Sequence, residues 1–394
     1  MYKWIVIGGG IHGSTVASHL LHHGAVTHEE MAIIDPYDGP IENWKRLTNK
    51  IGMKHLRSPS VHHLHPDPYH LKKFARTQQY SAGFKGRYQR PLLHMFNHHC
   101  EQWFNEVNLQ RSWKKGEVES LNKKDGAWHV HLNTGECFQS KNIVLAIGVT
   151  NKPHWPGWIM ELKTSDPSGI YHIFEEPTLL AKGKTAIIGG GMTAAHTAIQ
   201  LAKQGDEVIT LIKRHPFRLH DFDSDPGWLG PKYLAGYENI DCNKERRSQI
   251  QKARYKGSLT RDLHVEVKAL IRRGKLNVIT DEVSCVNRRE RSLLLQMKGG
   301  SEVKVSSIVL ATGVDKGIPG EEWLSKTIRK HELYCAPCGF PVVDDTLKWD
   351  EGLYVTGALA ELRVGPASRN IAGARKASER IMQSVSLERI VERR

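Results

Sequence analysis

Between Tyr2 and Gly13 the chain passes from the apolar run Trp4-Ile5-Val6-Ile7 into Gly8-Gly9-Gly10. It then enters residues 11–21, where small and apolar side chains recur at helical spacing. A buried strand, a sharp glycine turn and a packed helix in that order form the dinucleotide fingerprint G-x-G-x-x-G. Gly8 permits the tight turn, Gly10 lets a pyrophosphate approach the backbone, and Gly13 lets helix and strand pack closely. The free NH groups from Ile11 and His12 onward, and the positive end of the helix dipole, then face the phosphates. A second apolar run, Met31-Ala32-Ile33-Ile34, ends on Asp35-Pro36, about 22 residues beyond Gly13, where an acid holds ribose hydroxyls.

The pattern recurs. Residues 184–188 read as a strand, Gly189-Gly190-Gly191-Met192-Thr193-Ala194 as a glycine turn in its G-x-G-x-x-A form, and residues 195–203 as the helix after it. The next strand, residues 207–212, ends in Lys213-Arg214 instead of an acid. Basic side chains at that edge suit a 2′-phosphate, which favours NADPH over NADH. Each copy is answered downstream by a matching strand, Ile143-Val144-Leu145-Ala146-Ile147-Gly148 and Ile308-Val309-Leu310-Ala311-Thr312-Gly313. Two turns and two answering strands, in order, predict two nucleotide-binding units.

Elsewhere the spacing predicts a helix over residues 92–107 and short strands over 116–121, 127–132 and 136–140. A linker rich in Pro and Trp follows the first unit at 153–158. Near the end, residues 352–358 read as a strand and turn, and Gly365-Pro366 opens a helix that runs to about residue 384. Gly365 lets the chain come close to a ligand, and Pro366 is tolerated in a first helical turn because its missing NH would be unpaired anyway. Such a helix start stabilises negative charge on the pyrimidine ring of a reduced flavin. The C-terminus is therefore expected to return to the first unit.

Together these residues resemble the flavoproteins with paired dinucleotide-binding domains. Among them the chain is most similar to the lysine and ornithine N-hydroxylase-like monooxygenases, through residues 7–13, Trp44, 53–65, 143–148, 189–194, 311–313 and 352–373. The resemblance implies an α/β fold of two Rossmann-like, three-layer domains. The NADPH domain, residues 165–314, is expected as an insertion in the FAD domain, residues 1–157 and 315–394. The resemblance implies FAD on Gly8, Gly10, Ile11, His12, Gly13, Asp35, Pro36, Trp44, Arg57, Val118, Ala146, Ile147, Gly148, Gly357, Ala358, Gly365, Pro366 and Asn370. It implies NADPH on Gly189, Gly191, Met192, Thr193, Ala194, Lys213, Arg214, Ala311, Thr312 and Gly313. Hydride then passes from NADPH to FAD. The reduced flavin reacts with molecular oxygen, through a hydroperoxyflavin, to hydroxylate a small amine-bearing substrate. Arg57 and His55, in the stretch that the resemblance brings to the flavin, and Asn370 are the candidate catalytic side chains. Ala358 stands where many paired-domain reductases carry an Asp on the ribityl chain.

Composition narrows the rest. A chain of 394 residues, 39% hydrophobic and 25% charged, suits two or three soluble domains. No apolar run approaches the ~18 residues that cross a bilayer, and no signal peptide stands ahead of the first strand. Six cysteines make no disulfide framework and point to the reducing cytoplasm. A net charge of +14 fits polyanionic cofactors, and would equally suit nucleic acid or an anionic membrane. The strongly basic residues 244–273 carry Tyr255 as their one large aromatic, too little for stacking bases. Their charge is expected on solvated helix faces, with Ile250, Ala253, Leu259, Leu263 and Val267 turned inward.

Cys335-Ala336-Pro337-Cys338 is a C-x-x-C able to form a redox disulfide. It keeps open a rival reading, an NADPH-dependent flavin reductase of a disulfide or quinone. A non-catalytic FAD- or NADPH-binding sensor is the other rival. Asp221-x-Asp223-x-Asp225 fails as a calcium loop, since Pro226 and Lys232 stand where a glycine and a glutamate are needed. Residues 215–237, rich in Pro, Gly and aromatics, are expected instead to form an active-site lid. The histidines at 62, 63 and 65 and at 94, 98 and 99 lack a carboxylate or cysteine at ligand spacing, so no metal site is expected.

Overall fold

The computed structural model describes residues 1–175, 181–205 and 207–392, with side chains up to residue 387. Strand Tyr2–Ile7 lies inside the first sheet, parallel to Met31–Asp35 on one side and to Cys137–Leu145 on the other. Parallel strands covered on both faces need apolar residues at successive positions. Met31–Asp35 is accordingly buried along its whole length. Across the sheet the order is Lys348–Asp350, Leu353–Val355, Cys137–Leu145, Tyr2–Ile7, Met31–Asp35 and Trp113–Lys115. Helix Ile11–His22 packs on this sheet and along the last helix, Ile371–Glu392, which continues past the expected end.

The strands expected at 136–140 and 143–148 are one strand, Cys137–Leu145. Its first half pairs antiparallel with Ala127–Leu132, Trp128 opposite Ser140. Its second half runs parallel to the first strand, Ile143 opposite Ile5. The side chains change with the pairing: exposed and buried positions alternate in the hairpin half, and Ile143, Val144 and Leu145 are all buried.

The second sheet is wholly parallel, in the order Leu276–Thr280, Ile209–Lys213, Thr185–Ile188, Ser307–Leu310 and Ile170–His172. Helices Met192–Gln204 and Arg261–Arg272 contribute to its core through Ala194, Ala195, Ala198, Leu263, Val267 and Leu270. Of the residues expected to face inward in the basic stretch, Ile250, Leu259, Leu263 and Val267 are buried and Ala253 is half-buried.

The chain leaves the first sheet after Leu145 and rejoins it with Lys348–Asp350 and Leu353–Val355, Leu353 pairing beside Ile143. The fold is thus α/β, with one Rossmann-like unit inserted in another. The two crossings run side by side: Pro153 bridges Val314, and the His154 and Asp315 NH groups donate to the Gly313 and Lys152 carbonyls at 3.0 and 2.9 Å. Trp155 and Trp158 of the linker pack into the core of the second unit. Among the described residues no helix is long and apolar enough to cross a membrane.

Candidate active site

At the first glycine turn Gly8 holds φ +99°, and a Cβ there would stand 2.5 Å from the Ala146 carbonyl oxygen. A Cβ on Gly13 would overlap the Gly8 carbonyl, whereas one on Gly10 would meet nothing within 4 Å. Helix Ile11–His22 begins at Gly10 with no side-chain cap. Its first NH groups are therefore left to a ligand. The Asp35 carboxylate accepts from the NH groups of Gly9 and Tyr37 at 2.6 and 2.9 Å, and burial raises its pKa. An ionised carboxylate offers about four acceptor positions, so room remains for ribose hydroxyls. An open cradle, an uncapped helix and an acid at the strand end fit the ADP half of FAD. Sequence reasoning missed the middle glycine: a Cβ on Gly9 would run into the Trp113 ring, whose Nε1 donates to the Tyr37 carbonyl at 2.9 Å. No local signal links these two distant residues.

At the second turn Gly189, with φ +151°, would bring a Cβ within 2.6 Å of the Ala311 carbonyl oxygen and 3.2 Å of the Ala194 Cβ. A small third residue is therefore required, and alanine suffices. Helix Met192–Gln204, which opens with Met192 and Thr193, begins at Gly191 without a side-chain cap. Gly148 and Gly313 follow the two answering strands at φ +69° and +86°, each with open space where a Cβ would be. Thr312 Oγ1 instead ties the crossing, donating to the His154 carbonyl, with His172 Nε2 at 3.3 Å.

Lys213 departs from expectation. It is 5% exposed, and its Nζ donates to Thr280 Oγ1 at 2.5 Å and to the His215 carbonyl at 3.1 Å, 4.6 Å from the Phe217 ring. Burial lowers its pKa. This ammonium joins the strand end to the chain beside it. Arg214 is exposed.

Residues 215–226 reach from the second unit back to the first. Arg57 donates through Nε to the Asp221 carbonyl at 3.2 Å, and through Nη2 to the His220 carbonyl at 2.8 Å and Ser258 Oγ at 2.9 Å. The Phe222 carbonyl is a further acceptor, and burial lowers the Arg57 pKa. Asn370 Nδ2 donates to Asp223 Oδ1 at 3.1 Å. Arg57, Asn370, His62 and residues 222–226 line a small cleft of about 40 Å³. Two of the three candidate catalytic residues therefore meet, although the Arg57 guanidinium clamps backbone carbonyls. Gly365, at φ +88°, faces Leu234 and Tyr237 of helix Pro231–Glu238. Gly357, at φ +64°, lies against His12, whose Nδ1 meets Thr356 Oγ1 at 2.9 Å. Burial lowers the His12 pKa to about 4 and keeps its ring neutral. Ala358 and Pro366 are buried in this wall.

His55 lies elsewhere. Leu56 is 2% exposed in the first core, while His55 pairs with Leu92 in a bridge and has Lys85, Arg90, Asp262 and Glu266 as charged neighbours. Arg90 grips Asp262 bidentately at 3.0 and 2.9 Å, and Lys85 joins at 2.9 Å. His55 thus belongs to an ion-paired contact between the units. Trp44 donates to Asn97 Oδ1 at 3.2 Å and packs beside Phe96, and Val118 is buried at the start of the hairpin. Cys335 and Cys338 are free, and Cys338 lines a separate pocket with Lys244 and Arg247.

Comparison with known proteins agrees with this geometry. Residues 5–150 match a family described as FAD-NAD(P)-binding, and residues 104–244 one described as pyridine nucleotide-disulphide oxidoreductase. The ornithine N-hydroxylase of Kutzneria sp. 744 superposes with a TM-score of 0.77 at 16% identity, over 99% of this chain and 100% of that one. The chain has the paired-domain fold of the flavin N-hydroxylases. The cadaverine monooxygenase of Erwinia amylovora gives a TM-score of 0.75 at 14% identity, over 98% and 94% of the two chains. In sequence, a ferredoxin–NADP reductase of Ignicoccus hospitalis is 30% identical over 108 residues. That match spans 27% of this chain and 31% of the reductase.

Proposed function

We propose that this protein is an FAD-dependent, NADPH-oxidising monooxygenase that hydroxylates a small amine-bearing molecule. The observation that carries the reading is the pair of open glycine cradles with opposite strand ends, Asp35 in one and Lys213-Arg214 in the other. A loop clamped by Arg57 and Asn370 joins the two units beside one cleft. Likeness to folds named as ornithine N-hydroxylase and cadaverine monooxygenase supports it. We assign residues 1–157 and 315–394 to FAD and 165–314 to NADPH, in the reducing cytoplasm.

In this assignment the first-turn NH groups of Ile11 and His12 hold the flavin nucleotide's pyrophosphate, and Asp35 holds its ribose. Those of Met192 and Thr193 hold the pyrophosphate of NADPH, and Arg214 its 2′-phosphate. Flavin supplies hydride acceptance and oxygen activation when bound. The chain's part is to bind, orient and exclude water, which is the work of the loop at 215–226.

The test is rapid mixing of the FAD-loaded, NADPH-reduced protein with oxygen. A transient flavin spectrum, neither oxidised nor reduced, is expected before reoxidation. Direct return to oxidised flavin would overturn the monooxygenase reading. Changing Cys335→Ser together with Cys338→Ser is expected to leave NADPH oxidation unchanged. Lost turnover with intact flavin reduction would favour the disulfide reductase.

A further inference from the structure

The two glycine turns differ at one point. They correspond residue by residue, because the Gly8 NH donates to the Ile34 carbonyl at 2.8 Å and the Gly189 NH to the Ile212 carbonyl at 2.9 Å. Gly10 is therefore the counterpart of Gly191, at the position where a nucleotide pyrophosphate comes closest to the backbone. A Cβ on Gly10 would meet nothing within 4 Å, whereas one on Gly191 would stand 3.3 Å from Gly257 Cα and 3.7 Å from the Gly257 carbonyl carbon. The first cradle is open, and the second is covered. Lys256 and Gly257 form the exposed tip of a turn between helix Asn243–Ala253 and strand Ser258–Leu259. Gly257 has φ +66°, and among the described residues no hydrogen bond joins it to residues 189–193.

What holds the tip down lies on the loop at 215–226. The Tyr255 ring stacks on His220 with centroids 3.7 Å apart and planes 13° from parallel, and the Tyr255 NH donates to the Asp223 carbonyl at 2.7 Å. The tip itself only packs on the cradle. A few van der Waals contacts are cheap to break, and the uncapped NH groups of helix Met192–Gln204 stay free for an anion that takes their place. Resting on the NADPH reading of the second turn, we propose that residues 255–257 form a gate over the pyrophosphate site of NADPH. The Tyr255–His220 stack latches the gate shut, and the incoming dinucleotide displaces it. A closed gate lowers the apparent affinity by the fraction of molecules in which it stands open. The nucleotide that must leave after each hydride transfer is thereby held more loosely than the one that stays.

The test measures NADP⁺ binding to the FAD-loaded protein by calorimetry, and amide hydrogen exchange with and without NADP⁺. Tyr255→Ala removes the stack and is expected to tighten NADP⁺ binding about threefold or more, within the reach of one aromatic pair. Tyr255→Phe keeps the ring and is expected to stay within about twofold of the parent. In the parent protein, NADP⁺ is expected to speed exchange over residues 254–258 and to slow it over residues 192–196. This arm needs no variant. Weaker binding by Tyr255→Ala overturns the gate and assigns the ring to the nucleotide. Slower or unchanged exchange over residues 254–258 also overturns it, since Gly257 is then a fixed wall of the bound site. NADP⁺ binding that Tyr255→Ala leaves unchanged removes the gate and lets the NADPH reading stand. If neither the parent nor Tyr255→Ala binds NADP⁺ while FAD is retained, the NADPH reading fails and the gate fails with it.

Discussion

Two glycines in one turn make opposite demands on a methyl group. At Gly8 a methyl meets the Ala146 carbonyl at φ +99°, a conformation that costs of order 1–3 kcal/mol for other residues. Gly8→Ala is expected to lower the melting temperature of the FAD-free protein and to abolish FAD retention. At Gly10 a methyl projects into open space, so Gly10→Ala is expected to leave FAD-free stability within about 0.5 kcal/mol. It would still weaken FAD about tenfold or more, by filling the phosphate cradle. Equal flavin content in the Gly10 variant and the parent would remove the cradle role. The basic pair divides in the same way. Arg214→Ala is expected to weaken NADPH about tenfold or more and NADH less than about twofold, measured by the rate of flavin reduction. Lys213→Ala is expected to lower thermal stability and to affect both nucleotides alike, since its ammonium bonds to Thr280 and His215.

At the scale of elements, what was legible in the sequence is what depends on near neighbours in the chain. Both glycine turns, the helices behind them and the buried strands declare themselves through short spacings, and so does helix Leu93–Glu106. The contacts that assemble the cleft join residues far apart in sequence: Arg57 with 220–222 and Ser258, Asn370 with Asp223, Gly191 with Gly257. Nothing in the local pattern of those segments announces a partner. The resemblance alone places Arg57 beside the flavin, and its bonds to the loop carbonyls come from the fold. His55 shares that stretch, one residue before the buried Leu56, yet has Asp262 of the second unit among its charged neighbours. The loop clamp makes a prediction of its own. Arg57→Ala is expected to speed amide hydrogen exchange over residues 218–225 and to lower turnover with flavin content unchanged. Arg57→Lys is not expected to rescue it, because one ammonium cannot reproduce a planar fork that reaches several carbonyls. Unchanged exchange in that segment would deny the clamp.

For the molecule as a whole, the histidines at the base of the first unit set the response to acid. His63 packs edge-on to His99 with ring centroids 5.0 Å apart, and His70 Nδ1 meets His99 Nε2 at 2.9 Å. His65 stacks on His70 at 3.7 Å, and His19 Nε2 meets the Leu64 carbonyl at 2.8 Å. Burial, reinforced by neighbouring imidazoles, lowers the pKa of His19 to about 4, of His63 to about 3 and of His99 to about 2. Unfolded histidines titrate near 6.5. Between about pH 6.5 and 4 the unfolded chain therefore binds more protons than the folded one, so stability is complete above that window and falls as pH drops through it. A single ring contributes at most about 1.4 kcal/mol per pH unit. Three coupled rings together contribute on the order of 2–4 kcal/mol per unit, a large part of the 5–15 kcal/mol typical of a folded domain. The melting temperature is expected to be level from pH 8 to 7 and to fall by about 5–10 °C between pH 6.5 and 5. Replacing His63 and His99 by Phe should flatten that slope, because the apolar rings remain and the titrating nitrogens are gone. A melting temperature constant from pH 7.5 to 5 in the parent protein would mean that these rings take up protons at no cost to the fold.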